Sequence, residues 1–236
     1  MKWLFILAVS LMTVGVCGCM GKNEERNERM LAYINDKYPD DHFTWIGVTG
    51  GHLGSNVKKI LVRSDQFPEK EVRVICTEKD GTEILTDTYL GVKFEDKTRA
   101  YLENRLKSVY GDRVFVSYTP DDLACTEGGS ERTELEEYLL EESSGIRFSA
   151  AVFTEELQTE EGTAAELDRA FGNASLTGKI YFLTEDPGFS EGNVSEKVQH
   201  ALDKKNYYAA VRFRTNSPEG MEKMIWEEKD RRDHDR

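Results

Sequence analysis

Histidine is scarce in this chain: His42, His52, His200 and His234 are the only four in 236 residues, and none stands at metal-ligand spacing from another. A metal motif built on paired imidazoles is therefore missing. Gly188-Phe189-Ser190-Glu191-Gly192 has the Gly-x-Ser-x-Gly spacing and Ser55-Asn56-Val57-Lys58 the Ser-x-x-Lys spacing; such short patterns assign no hydrolase without a base and an oxyanion site beside the serine, and catalytic groups can also converge from distant positions. Positive charge is in deficit, with 31 Lys/Arg against 44 Asp/Glu and a net charge of −13. That balance disfavours nucleic acid, whose phosphates need a basic face, and equally disfavours attraction to anionic lipid headgroups. Long apolar runs are lacking as well. The longest, Trp3 to Val16, is fourteen uncharged, mostly apolar residues, short of the about 20 that span a bilayer.

That run has a different use. Lys2 precedes it, and it ends among the small residues Gly15 and Gly18 and two of the four cysteines; a basic start, an apolar middle and a small-residue end make a secretory signal peptide. Val16-Cys17-Gly18-Cys19 resembles a bacterial lipobox, with the cut after Gly18 and Cys19 as the lipidated first residue. Cys17 competes for that role, but bulky Val16 before it fits less well, and Val16 itself stands where Leu is commonest. The resemblance implies a diacylglyceryl group on Cys19 and a further acyl chain on its amino end. Each buried methylene contributes about 0.8 kcal/mol, and two chains give stable anchoring. The readings left open are an ordinary cleaved signal peptide with free secretion, and an uncleaved anchor. Residues 1–18 are thus the signal peptide, and residues 19–28, which open the polar stretch GKNEERNER, are a tether.

Charge divides the remainder. Residues 22–119 hold 16 Lys/Arg and 17 Asp/Glu, whereas residues 121–236 hold 14 and 27, which points to two lobes. The first, residues 29–118, opens on a helix with Met30, Leu31, Ile34 and Tyr38 at helical spacing, ended by Pro39. FTWIGV, KKILVRS, EVRVICTE and EILTDTYL alternate with period two and read as an antiparallel sheet wet on one face. Lys79-Asp80-Gly81-Thr82 is a hairpin turn. KFEDKTRAYLENRLKSVYG carries the stripe Phe94, Tyr101, Leu102, Leu106 and Val109 of a helix stopped by Gly111, and RVFVSY is a last strand. The glycine-rich TGGHLGSN, residues 49–56, precedes a strand rather than a helix and lacks a Gly-Lys-Ser/Thr ending. It reads as a hairpin connection, with an anion contact at His52 and Ser55 as the competing view. HLGSN, VRSDQFPEKEV and DGTEILTDTYLGVKFEDKTRAYLE together resemble a group of small surface lipoproteins of Gram-positive bacteria. The resemblance implies an address and a fold class, and no activity.

Residues 119–133 are rich in turn formers and read as a linker. The second lobe, residues 134–216, is acidic and alternates helices with strands, which suggests βαβ-like units. Met221, Met224 and Ile225 in the charged tail, residues 217–236, have helical spacing. The fold class expected is α+β: a helix-flanked antiparallel sheet followed by a smaller mixed α/β lobe. Export permits a disulfide, and Cys76 with Cys125 is the one candidate; the competing view of Cys76 is a buried inert thiol. The pairs Asp121/Asp122 and Glu155/Glu156 read as solvated faces rather than a general-acid pair. Glu185, Asp186 and Glu191 in residues 184–193 lack the spacing of an EF-hand loop. The sequence assigns no catalytic residue, metal or cofactor. It points to a membrane-anchored extracytoplasmic lipoprotein, a non-catalytic module binding a protein or envelope component, with the lipid anchor at Cys19 as its membrane contact. The alternative is a lipid-anchored hydrolase or solute-binding receptor.

Overall fold

The computed structural model describes residues 23–50, 55–120, 126–127, 134–140, 145–189, 192–216 and 219–229. Cys17, Cys19, Cys125, Asp121, Asp122, Glu191 and the centre of the TGGHLGSN loop lie outside them. The chain forms two compact units with α+β architecture. The first contains the described residues up to Asp87, with Glu127; the second begins at Thr88 and is the larger.

In the first unit a helix, α1 (residues 23–37), covers one face of an antiparallel meander. Its strands are β1 (Phe43–Val48), β2 (Val57–Ser64), β3 (Glu71–Lys79) and β4 (Thr82–Asp87), paired in that order. The two-residue β6 (Thr126–Glu127) stands fifth in the order of this sheet, after β4. Period-two alternation places Ile60, Val62, Val72, Val74 and Cys76 in the core with Met30 and Ile34 of the helix. The β3–β4 turn follows its sequence signal: Asp80 and Gly81 both have positive φ, 53° and 77°, as a tight two-residue hairpin requires. Arg26 of α1 meets Glu83 at 2.7 Å and Glu78 at 3.1 Å, and its donation to Glu83 holds that carboxyl below its ordinary range.

The second unit is built on a mixed five-stranded sheet in the order β10-β9-β8-β7-β5. The elements run α2 (Tyr89–Lys93), α3 (Glu95–Tyr110), β5 (Val114–Tyr118), α4 (Leu135–Leu140), β7 (Ile146–Val152), α5 (Glu160–Phe171), β8 (Leu176–Leu183), α6 (Val194–Asp203), β9 (Tyr207–Asn216) and β10 (Gly220–Glu228). β7 and β8 are parallel, joined by α5, whose N-cap Thr159 accepts a hydrogen bond from the Gly162 amide. The other pairs are antiparallel. One sheet face packs under α3 and α5, where Phe148, Phe171 and Phe213 meet with centroids 5.8 to 5.9 Å apart. Gly178 makes room for them: a Cβ there would fall 2.3 Å from the Phe213 ring. The opposite face is covered at one end by α6, through Leu183, Val198 and Ala201.

Four expectations change. The boundary falls between Asp87 and Thr88, not in residues 119–133, because β5 pairs with β7 in the second sheet and α3, which leads into β5, lies with it in the second unit. Period two marks β5 as a strand but does not choose its partner. The second unit is consequently the larger, not the smaller. Met221, Met224 and Ile225 lie in a strand, not a helix, since Met224 and Trp226 alternate on the half-buried side of β10, and Trp226 packs 5.7 Å from Phe182. In α3 the buried stripe is Thr98, Leu102, Leu106 and Tyr110, so Tyr101 and Val109 are displaced to its border. Among the described residues no helix is long and apolar enough to cross a membrane.

Candidate functional site

Cys76 is a buried free thiol on β3. Burial pushes its pKa up, and the Glu83 carboxylate pushes it further, so thiolate chemistry is suppressed. Its candidate disulfide partner, Cys125, lies outside the described residues. The acidic groups singled out in the sequence do not converge. Glu155 is exposed and meets Arg113 at 3.5 Å, and Glu156 is exposed beside it. Asp186 Oδ1 accepts the backbone N–H groups of Gly188 and Phe189 at 2.7 and 3.1 Å. Although partial burial pushes that carboxyl up, these donations and nearby Arg113 hold it below its ordinary value. Glu185 instead accepts from the Asn206 amide. Among the described residues no group of three His, Cys, Asp or Glu side chains is placed to hold a metal.

Two buried polar assemblies escape a sequence reading. In the first unit Lys37 Nζ meets Asp87 Oδ2 at 2.8 Å, with the two side chains 3% and 0% exposed. Tyr33 donates to Oδ2 and Tyr38 to Oδ1, each at 3.1 Å, and Lys37 also donates to Tyr33. Lys37 and Asp87 are fifty residues apart, a separation no local pattern bridges. Their mutual saturation makes them a staple between α1 and β4 rather than reactive groups. In the second unit the Tyr110 hydroxyl lies near Glu166 and Thr163 of α5. Burial first, then the Glu166 carboxylate, raises its pKa well above the ordinary phenol value. It stays protonated and cannot serve as a base.

An open groove of about 550 Å³ lies between α3 and α4, lined by Tyr101, Asn104, Arg105, Ser108, Glu136, Leu140 and Asn173 among others. The Arg105 guanidinium lies over the Tyr101 ring at 5.2 Å. Ser108 donates to the Arg105 carbonyl at 2.7 Å, and among the described residues no hydrogen bond joins it to a base, so the groove as described offers polar contacts rather than an activated nucleophile.

The most exposed apolar grouping is on β1. Trp45, Ile46 and Val48 are 41%, 36% and 54% exposed on a strand that ends the sheet order. A bulge between Trp45 and Gly47 leaves Ile46 out of register with β2. Bulges blunt an edge against indiscriminate pairing, while three large exposed apolar side chains on one short strand offer contact area of the kind that partners cover. The sequence FTWIGV shows the alternation of a strand but not that its outer side is left open.

No family model and no curated protein matches the chain. A similar solved structure is that of a DUF5037 family protein from Ruminococcus gnavus ATCC 29149, 8% identical, with 82% of this chain and 93% of that one covered and a TM-score of 0.36. A likeness of this degree assigns no activity.

Proposed function

We propose that this protein is a non-catalytic binding module, held at the extracytoplasmic face of the cell membrane by lipid on Cys19, that engages a protein partner through the β1 edge. The observation that carries the binding role is the exposed trio Trp45, Ile46 and Val48 on an edge strand. Trp is the side chain most often found at the energetic centre of protein interfaces, and an edge strand adds unpaired backbone donors and acceptors to the contact. The address rests on the lipobox-like Val16-Cys17-Gly18-Cys19. The competing reading, an anchored hydrolase or solute receptor, would use the α3–α4 groove, where Ser108 is tied to a backbone carbonyl.

Site-specific photocrosslinking in producing cells tests this. A benzophenone side chain at position 45 is expected to give one discrete protein adduct that Ile46→Asp abolishes, while the same probe at exposed Lys79 gives none. Absence of an adduct from positions 45 and 48 alike would overturn the assignment of β1 as the contact.

A further inference from the structure

The second sheet has one half-face that no described helix covers, and its composition opposes that of the rest of the unit. Register alignment defines two cross-strand rows on that face. The first reads Arg147, Thr177, Arg214, Lys223 across β7, β8, β9 and β10. The second reads Ser117, Ser149, Lys179, Arg212, Ile225 across β5, β7, β8, β9 and β10. Arg147, Thr177, Arg212, Arg214, Lys223 and Ile225 are exposed, and Ser149 and Lys179 are partly exposed.

Five of the fourteen Lys/Arg in residues 121–236 thus share one open face, although that segment carries 27 Asp/Glu. Among the described residues two carboxylates answer them, both from the edge strand β10: Glu227 on Arg212 at 2.7 Å and Glu222 on Arg214 at 3.1 Å. Arg147, Lys179 and Lys223 form no ion pair among the described residues; Lys179 lies instead over the Tyr181 ring at 4.4 Å. Arg214 and Lys223 are direct cross-strand partners, and like charges so placed cost stability. Folding alone gives no reason to concentrate cations here.

From this face we infer a binding site for a linear phosphodiester polymer without bases, of the poly(glycerol phosphate) kind. Arg212 and Arg214 are two residues apart on one strand, hence about 6.7 Å along it, and neighbouring strands are about 4.8 Å apart. A flat grid of that pitch meets successive phosphates of an extended chain rather than one compact anion. Guanidinium groups take phosphate oxygens in pairs, and the hydroxyls of Ser149 and Thr177 stand between the cations to meet polyol oxygens. Neither row holds an aromatic side chain, and the ring next to them on this face, Tyr181, is already engaged by the Lys179 ammonium at 4.4 Å and by the Tyr207 ring at 5.1 Å, so the rows lack the stacking platform expected of a single-stranded nucleic-acid surface. Charge supplies most of the binding energy, so affinity falls with salt, by roughly 20- to 40-fold between 50 and 200 mM for about three neutralised phosphates. The site lies in the second unit and is independent of β1.

The test is binding of the full-length, detergent-solubilised protein to immobilised poly(glycerol phosphate), with single-stranded DNA and polyglutamate as comparators. Charge reversal of the three unpaired cations, Arg147→Glu/Lys179→Glu/Lys223→Glu, is expected to weaken polymer binding at least tenfold. An equal reversal elsewhere, Arg63→Glu/Lys79→Glu/Lys204→Glu, is expected to change it less than twofold. Should the reversed sheet unfold, the neutral set Arg147→Gln/Lys179→Gln/Lys223→Gln is expected to weaken binding severalfold with the circular dichroism spectrum retained. No binding at low salt, equal loss in both reversals, or an unchanged affinity in the sheet variants would overturn the proposal. Tighter binding of polyglutamate or of DNA would overturn it too, in favour of an acidic protein or a nucleic acid.

Discussion

Asp87→Ala lowers the stability of the first unit by about 3–5 kcal/mol, the usual cost of removing one member of a buried ion pair. The carboxylate is fully buried, and its loss takes from Lys37 the charge it meets at 2.8 Å while depriving Tyr33 and Tyr38 of their shared acceptor. The ammonium of Lys37, only 3% exposed, keeps its desolvation cost. Since a domain's whole stability is about 5–15 kcal/mol, the variant sits near the point of unfolding. Denaturant titration, with amide exchange to localise the change to β2–β4, measures the effect. The double substitution Lys37→Met/Asp87→Leu is expected to recover a substantial part of the loss, because apolar replacement removes both desolvation costs together. A double variant no more stable than Asp87→Ala would show that the pair does not act as a unit.

Phe171→Ala is expected to cost the second unit about 3–5 kcal/mol, the range for emptying a fully buried aromatic site. Phe171 ends α5 and fixes it to the sheet. Its ring meets Tyr101 of α3, Phe148 of β7 and Phe213 of β9, so three elements lose contacts at once. The site cannot close easily, because Phe213 already occupies the space over Gly178. Faster amide exchange should appear in β7, β8 and β9, and Phe171→Leu should cost distinctly less. A loss below about 1 kcal/mol for Phe171→Ala would mean that the neighbouring rings refill the site and that the cluster does not anchor α5.

These two variants also mark where a sequence stops being readable. Alternation and helical stripes depend on neighbours, so β2, β3, the Asp80-Gly81 turn and α3 are legible from a few residues each. Which strand β5 joins is a question about residues thirty or more positions away, as in Val114 opposite Val152, so turn-former composition alone does not locate the domain boundary. The tail failed differently. Three apolar residues at helical spacing also fit alternation once Trp226 is counted with Met224, and the partner strand β9 decides between them. Lys37 and Asp87 gave no signal, since each is an ordinary surface residue until the fold removes its water.

Net charge misled in a more general way. A total of −13 describes the chain as a whole, while recognition depends on single faces. Arg147, Lys179, Arg212, Arg214 and Lys223 come from four strands, and only the register β7–β8–β9–β10 brings them together. The β1 edge was hidden likewise: Trp45, Ile46 and Val48 look like core residues until the sheet order leaves their strand at its margin. The groups with chemical potential, Cys76, Asp87 and Tyr110, are each buried, which is why the functional reading rests on surfaces.

Both surfaces matter only if the protein is displayed outside the membrane, and metabolic labelling with an alkyne fatty acid tests that display directly. The wild-type protein and Cys17→Ser are expected to take up the label and to sediment with membranes, while Cys19→Ala is expected to do neither. Undiminished labelling of Cys19→Ala, or an unlabelled wild-type protein released into the medium, would contradict the lipid anchor.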